Sequence, residues 1–172
     1  MIILKKIKWE FVIGIIFVVF AGCIFHFAYD WTGKNRIVGL FVPVNESVWE
    51  HMKLLFFPML FYFPVFVMIS KKDRSCVVSS YCTGILTGTS LIPILFYVYT
   101  NILKRDILVL DISIFVLCTV AAFGTVYFLN RSCRLKDYSA LLCGLVIVSL
   151  LCFLVFTCYP PDHIIFSDPL AG

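Results

Sequence analysis

The chain alternates between long apolar runs and short clusters of charged residues. A bilayer core about 30 Å thick requires roughly 20 apolar residues in helical form. Five runs approach that length, at residues 11–28, 54–70, 77–99, 107–129 and 138–158. The pattern therefore predicts an all-α fold, a polytopic transmembrane helix bundle in which residues 1–172 form a single membrane domain.

The second and third runs carry residues that shape helix packing. Pro58 and Pro64 predict a kink in the second span, which we expect to begin before residue 54 as a polar helix at the membrane surface. Gly84 and Gly88 form a pair of small residues four apart. This spacing predicts that a neighbouring helix approaches the third span closely.

Basic residues lie mostly on one side of the predicted spans. Nine of the fourteen fall before span one, after span two or after span four. Because cytoplasmic loops carry the excess of Lys and Arg, the sequence predicts the N-terminus inside and the C-terminus outside. The nine are Lys5, Lys6, Lys8, Lys71, Lys72, Arg74, Arg131, Arg134 and Lys136, and the opposite side holds Lys34, Arg36, Lys53, Lys104 and Arg105.

The composition agrees with a membrane protein and excludes several other classes. The chain is 62% hydrophobic and 14% charged, whereas a soluble chain is about 25% charged. Disorder, coiled coil, collagen and nucleic-acid binding are excluded, and the net charge of +4 is a signal of topology. The expected partners are membrane lipids, and a homodimer or a larger membrane complex stays open.

The eight cysteines do not predict a disulfide framework. Cys76 and Cys133 lie beside the basic clusters, on the side predicted to face the reducing cytoplasm. We therefore expect free thiols there, and no zinc site made of thiolates. Most of the others are small membrane hydrophobes within apolar runs, namely Cys23, Cys118, Cys143, Cys152 and Cys158.

All three histidines and most acidic residues fall on the predicted outer side. His26 and Asp30 are four residues apart and share a helix face, where the carboxylate could orient the imidazole or bind a cation with it. The other interpretation is an interfacial histidine beside a solvated aspartate.

The richest polar segment is residues 45–53 of the outer loop 29–53, which leads into span two. Asn45 is a candidate N-cap, which would put Glu46 in the first helical turn. On a helix, Glu46, Glu50 and Lys53 would lie within about 60° of one another. The two carboxylates would repel unless a cation lay between them, and Lys53 or a metal ion could supply that charge.

Asp111 and the C-terminal tail complete the candidate site. Asp111 lies about one turn inside span four, so it needs a partner, and Tyr97, Thr100 or His51 could provide one. The alternative is a charge at a helix end that reaches water. Residues 159–172 cannot continue the fifth helix past Pro160 and Pro161, so we expect them to fold back as a cap that carries His163.

These motifs resemble a family of small bacterial integral membrane proteins known as domain of unknown function 6512. The resemblance rests on NESVWEHMK at 45–53, IP at 92–93, FYVYT at 96–100, DI at 111–112, YPP at 159–161 and FSDP at 166–169. It covers most of the chain and implies a multi-pass protein of the bacterial cytoplasmic membrane. The family has no established activity, so it leaves the chemistry open.

Two classes of function fit these residues. The first is a metal-assisted hydrolase or transferase that acts on a lipid or envelope precursor with a divalent ion such as zinc. Ser47, activated by His51, is a weaker candidate nucleophile. The second is a non-catalytic subunit or small transporter in which the same groups form an ion-pair cluster. The candidate ligands are His26, His51, His163, Asp30 and Asp111, and the candidate catalytic groups are Glu46, Lys53 and Glu50, the last as general base.

Overall fold

The computed structural model describes residues 9–168, and every regular element within them is helical. The helices are α1 Trp9–Trp31, α2 Arg36–Gly39, α3 Val48–Ile69, α4 Arg74–Leu103, α5 Leu108–Ser132 and α6 Ser139–Cys158, with short 3₁₀ helices at Lys136–Tyr138 and Ile164–Phe166. The basic residues Lys5, Lys6 and Lys8 and the tail residue Pro169 lie outside the described residues.

The five predicted spans are confirmed as long apolar helices. α1 and α3 to α6 are each long and apolar enough to cross a bilayer. As predicted, the second span begins upstream of its apolar run, at Val48, and α3 continues through Pro58 and Pro64. α1 ends before a turn in which Gly33 has a φ of 66°, a left-handed conformation that glycine adopts without steric cost.

α3 is the most buried of the five long helices. It packs against α1 and α4, and α4 packs along α5 more extensively than any other pair of helices. Aromatic side chains such as Phe56, Phe57 and Phe123 fill the core between them. Large apolar side chains cover the outer faces, for example Phe20 and Val148. Such an apolar surface suits contact with lipid and would be costly in water.

The small pair in the third span makes the predicted close contact. A Cβ atom added at Gly84 would meet the backbone of Ala122 and the side chain of Val126, and one added at Gly88 would meet Ala122 and the carbonyl oxygen of Cys118. The absence of side chains at these two positions therefore lets α4 lie directly against α5.

The two ends of the bundle differ in chemistry. We call the end formed by loops 70–73 and 133–138 the basic end, and the end formed by residues 32–47, 104–107 and 159–168 the histidine end. The basic end brings together the clusters that follow spans two and four, because α3, α4, α5 and α6 all begin or end there. Which end faces the cytoplasm stays a prediction from the charge bias.

The expectation of free thiols at the basic end is wrong. Cys76 and Cys133 form a disulfide, with their Cα atoms 5.0 Å apart. Cys76 lies in the first turn of α4, and Cys133 is the residue that ends α5. Since those two helix ends are adjacent in the bundle, the fold brings together two thiols that are 57 residues apart in sequence.

The described part of the tail, up to residue 168, packs against α3 and α6 at the histidine end. The 3₁₀ turn Ile164–Phe166 packs against α3. The ring of Phe166 lies 4.9 Å from that of Trp49 and 5.5 Å from that of Phe156. Burial of apolar residues therefore docks the segment that follows the double proline.

Candidate metal centre

Three side chains from three parts of the chain converge at the histidine end. They are His26 of α1, Glu46 of the loop before α3, and His51 of α3. Their ligand atoms all lie within 4.8 Å of one another. Glu46 Oε2 is 3.3 Å from His51 Nε2 and 3.9 Å from His26 Nε2. Both imidazoles thus present the same ring nitrogen to one carboxylate oxygen.

Glu46 reaches the histidines because it lies outside α3, which corrects the predicted cap. The N-cap is Ser47, whose Oγ accepts a hydrogen bond from the N–H of Glu50 at 3.3 Å. Asn45 instead accepts one from the N–H of Ser47 at 3.0 Å, which forms a tight turn before the helix. Glu46 and Glu50 therefore do not share one helical arc, and the Ser47 hydroxyl caps the helix.

The orientation of His51 suits a metal ligand. His51 Nδ1 lies 3.0 Å from the carbonyl oxygen of Ser47. A carbonyl oxygen can only accept, so Nδ1 carries the hydrogen. Nε2 then either holds a lone pair toward Glu46 or, in the imidazolium, donates a second hydrogen to it. A histidine whose outer nitrogen is bound by a backbone carbonyl is the usual arrangement around metals.

The charge state of Glu46 follows from these neighbours. The hydrogen bond with His51 lowers the pKa of Glu46, and the nearby charges of His51 and His26 lower it further, while partial burial acts in the opposite direction. The net shift is downward, so the carboxylate is ionised near neutral pH. An ionised carboxylate is the form that binds a cation.

α1 makes a close contact with α3 and α5 one turn away from His26. Gly22 lies one turn before His26, and a Cβ there would lie 2.5 Å from the ring of Phe115 and 2.9 Å from the carbonyl oxygen of Leu54. α1 can therefore approach both α3 and α5 at this level. The separation of His26 and His51 depends on that approach.

Glu50 and Lys53 form a separate, fully buried pair. Their side chains are 3% and 0% exposed, and Lys53 Nζ lies 2.6 Å from Glu50 Oε2. The ammonium also donates to Thr157 Oγ1 at 2.5 Å and to the carbonyl oxygen of Gly39 at 3.1 Å. Glu50 Oε2 accepts a further hydrogen bond from the N–H of Val44 at 3.0 Å. These bonds tie the loop before α3 and the end of α6 to α3, and neither residue belongs to the metal-ligand group found within residues 9–168.

Asp111 lies near the cluster but is bonded elsewhere. Tyr99 Oη donates a hydrogen bond to Asp111 Oδ1. Tyr99 Oη also accepts from the N–H of Ile107 at 3.3 Å, which holds the phenol in place. Asp111 and His51 interact electrostatically across the site. Asp111 therefore interacts with His51 but does not belong to the group formed by His26, Glu46 and His51.

The two remaining predicted ligands are not brought into the cluster. Asp30 is exposed at the end of α1, one turn beyond His26. His163 is exposed in the tail, where its Nδ1 lies 3.4 Å from the N–H of Ile165 and caps the 3₁₀ turn. The double proline turns the tail toward Trp49, and His163 stays outside the group formed by His26, Glu46 and His51.

Three residues that contact or position the predicted site residues were not predicted from the sequence, namely Tyr99, Thr157 and Gly22. Tyr99 lay in a recognised motif, but its hydrogen bond depends on the register between α4 and α5. Thr157 is 104 residues from Lys53, so no local pattern connects them. Gly22 had a weak signal, since it stands one turn before His26 on the same helix face.

These observations describe an all-helical chain with five helices long and apolar enough to span a membrane and a His–Glu–His cluster at one end of its bundle. The chain belongs to a family of unknown function, DUF6512, whose model matches residues 1–172. The resemblance found in the sequence is thus confirmed. No curated protein and no solved structure matches the chain, so its function is argued from geometry.

Proposed function

We propose that the chain binds one divalent metal ion, zinc by its ligand set, through His26, Glu46 and His51. The convergence of two imidazole Nε2 atoms on one carboxylate oxygen carries this proposal. Two histidines and one glutamate are the protein ligands of many catalytic zinc sites, which leave one position open. Tetrahedral zinc places its ligand atoms roughly 3.3 Å apart. The cluster needs only a small inward movement of His26 to reach that separation.

The site is proposed to serve a hydrolase or transferase. A bound zinc ion lowers the pKa of a coordinated water and so provides a nucleophile near neutral pH. Glu50, the general base that the sequence predicts, has its carboxylate held by Lys53 and the N–H of Val44. Asp111 lies on the His51 side of the cluster and is held by Tyr99. We therefore assign proton transfer to Asp111 and its positioning to Tyr99.

The position of the cluster supports a substrate that resides in the membrane. His26 lies near the end of α1 and His51 in the first turn of α3, at the level where apolar helix faces meet the polar loops. The charge bias predicts that this end faces outward from a bacterial cytoplasmic membrane. A lipid or envelope precursor with its headgroup at that depth is the proposed substrate.

A second candidate function is favoured by the Glu50–Lys53 pair. A buried pair with all its hydrogen bonds satisfied is typical of a structural lock. His26, Glu46 and His51 could extend that lock as an ion pair if His51 is an imidazolium. The chain would then be a non-catalytic membrane subunit or a small transporter. Transport of ions is disfavoured because the sequence has no charged residue at the centres of spans three to five.

Metal analysis of the purified protein separates the two functions. After incubation with zinc and removal of excess metal, we expect roughly one zinc per chain by elemental analysis. His51→Ala and His26→Ala should each lose most of it, because two protein ligands hold zinc weakly. His163→Ala is the matched control and should retain it. A parent protein with intact helices by circular dichroism and no bound zinc would contradict the metal site and leave the ion-pair lock.

The role of Asp111 gives a further prediction. Cobalt in place of zinc provides an absorption spectrum that changes when the bound water ionises. We expect Asp111→Asn to retain cobalt but to shift that change to lower pH, because loss of a nearby negative charge makes a bound hydroxide more stable. Asp30→Asn is the control and should leave the profile unchanged. A loss of most of the bound cobalt in Asp111→Asn, as large as that expected for His26→Ala and His51→Ala, would instead make Asp111 a ligand.

A further inference from the structure

The disulfide at the basic end has mostly basic residues around it. Within five residues along the chain, Cys76 and Cys133 have six basic neighbours and two acidic ones. The basic neighbours are Lys71, Lys72, Arg74, Arg131, Arg134 and Lys136, and the acidic ones are Asp73 and Asp137. Lys72 Nζ also donates to the carbonyl oxygen of Arg131 at 3.3 Å, which joins the two basic segments across the disulfide. The surroundings of the bond are therefore cationic.

The two cysteine residues differ in exposure. Cys76 is 0% exposed, in the first turn of α4. Cys133 is partly exposed and ends α5 in a left-handed conformation. A thiolate arriving from solvent can thus reach only Cys133. The sulfur of Cys76 would then be the leaving group, next to the positive end of a helix that stabilises a thiolate.

The reduced state also has hydrogen-bond partners in place. Cys76 Sγ lies 3.5 Å from the carbonyl oxygen of Asn130 and 3.8 Å from its Oδ1. Asn130 is itself buried, at 3% exposed. A disulfide sulfur has no hydrogen to donate, whereas a thiol at this position would donate to either oxygen. The site thus accommodates the thiol as well as the disulfide.

The side of the membrane that the disulfide faces bears on its role. The positive-inside rule predicts that the basic end faces the cytoplasm. Disulfides are rare there, and those that occur are mostly transient and take part in catalysis or redox sensing. A permanent structural disulfide is therefore not what this location predicts.

We infer that Cys76 and Cys133 form a thiol–disulfide exchange site that takes an anionic low-molecular-weight thiol. The thiolate attacks Cys133 Sγ, the Cys76–Cys133 bond breaks, and its electron pair leaves on Cys76 Sγ. A second thiolate attacks the external sulfur of the mixed disulfide and releases Cys133. Two external thiols are oxidised to one disulfide, the protein disulfide is reduced to two thiols, and the two protons pass to Cys76 and Cys133. The cationic surroundings raise the local concentration of an anionic thiol.

The test measures reduction of the folded, full-length protein in lipid nanodiscs. Glutathione serves as the anionic thiol and 2-mercaptoethanol as the neutral one, and peptide mass analysis after alkylation follows Cys76 and Cys133 separately from the other cysteines. We expect glutathione to reduce the pair, with a rate that falls by roughly tenfold from low to high salt. The rate with 2-mercaptoethanol, whose attacking thiolate carries one negative charge against two for that of glutathione, should fall clearly less.

Charge variants make the test specific. Arg131→Gln combined with Arg134→Gln should slow glutathione by roughly threefold or more and slow 2-mercaptoethanol clearly less. Lys104→Gln, an exposed change at the histidine end, is the control and should alter neither rate. The inference is overturned if the disulfide opens only after denaturation, or if both thiols respond equally to salt and to the arginine variants.

Discussion

Replacement of Lys53 by methionine is expected to lower the free energy of unfolding by about 3–5 kcal/mol. The substitution leaves the carboxylate of Glu50 buried, at 3% exposed, without its cation. It also removes the donor that joins Gly39 and Thr157 to α3. Reversible unfolding in detergent micelles, followed by circular dichroism, measures the change.

Two further variants show whether charge causes that loss. Adding Glu50→Gln to Lys53→Met removes the unpaired charge and should recover more than half of the lost stability, since a Gln side chain can still accept from the N–H of Val44. Lys104→Met at an exposed position should have little effect. A double variant no more stable than Lys53→Met alone would show that packing, and not charge, dominates at this position.

The second large effect is expected at Gly22. Valine at this position would place its Cβ against the Phe115 ring and the carbonyl oxygen of Leu54. The Leu54 carbonyl is backbone and cannot move aside, so α1 must shift outward and take His26 with it. We expect zinc affinity to fall by roughly tenfold or more, as for other changes that displace a ligand, and stability to fall by about 1–3 kcal/mol.

The control for this variant is Gly144→Val. Gly144 lies on α6, where a Cβ would meet no atom within 4 Å. It has the same change in helix propensity and should retain zinc. Equal zinc affinity in the two valine variants would mean that the approach of α1 to α3 and α5 does not set the ligand geometry.

The helices were predictable because their signal is local. Each span is an apolar run whose length is set by the bilayer, and that length is visible without knowledge of the partners. The sequence predicts Asn45 as the N-cap of α3, whereas the helix is capped by Ser47, a residue type that caps equally well. Asn45 forms a tight turn before the helix instead. Glu46 therefore lies outside α3, near the histidines.

The candidate site was predictable only in part. The charge pattern placed the three histidines at one end, but which of them meet depends on helix packing. His26 and His51 meet because Gly22 lets α1 approach α3, whereas aromatic packing on Trp49 directs the tail that carries His163. The Glu50–Lys53 pair has a local signal, since residues three apart share a helix face. Its distant partner Thr157 has none.

The loop that carries Glu46 is held on both sides. Before Glu46, the N–H of Val44 donates to Glu50 Oε2. After Glu46, the N–H of Ser47 donates to Asn45 Oδ1. The backbone of the loop is therefore already ordered in the folded chain. Binding of an ion at Glu46 would not lose further backbone entropy to order it. The buried lysine that takes no part in the chemistry thus helps to set how tightly the neighbouring carboxylate can hold an ion.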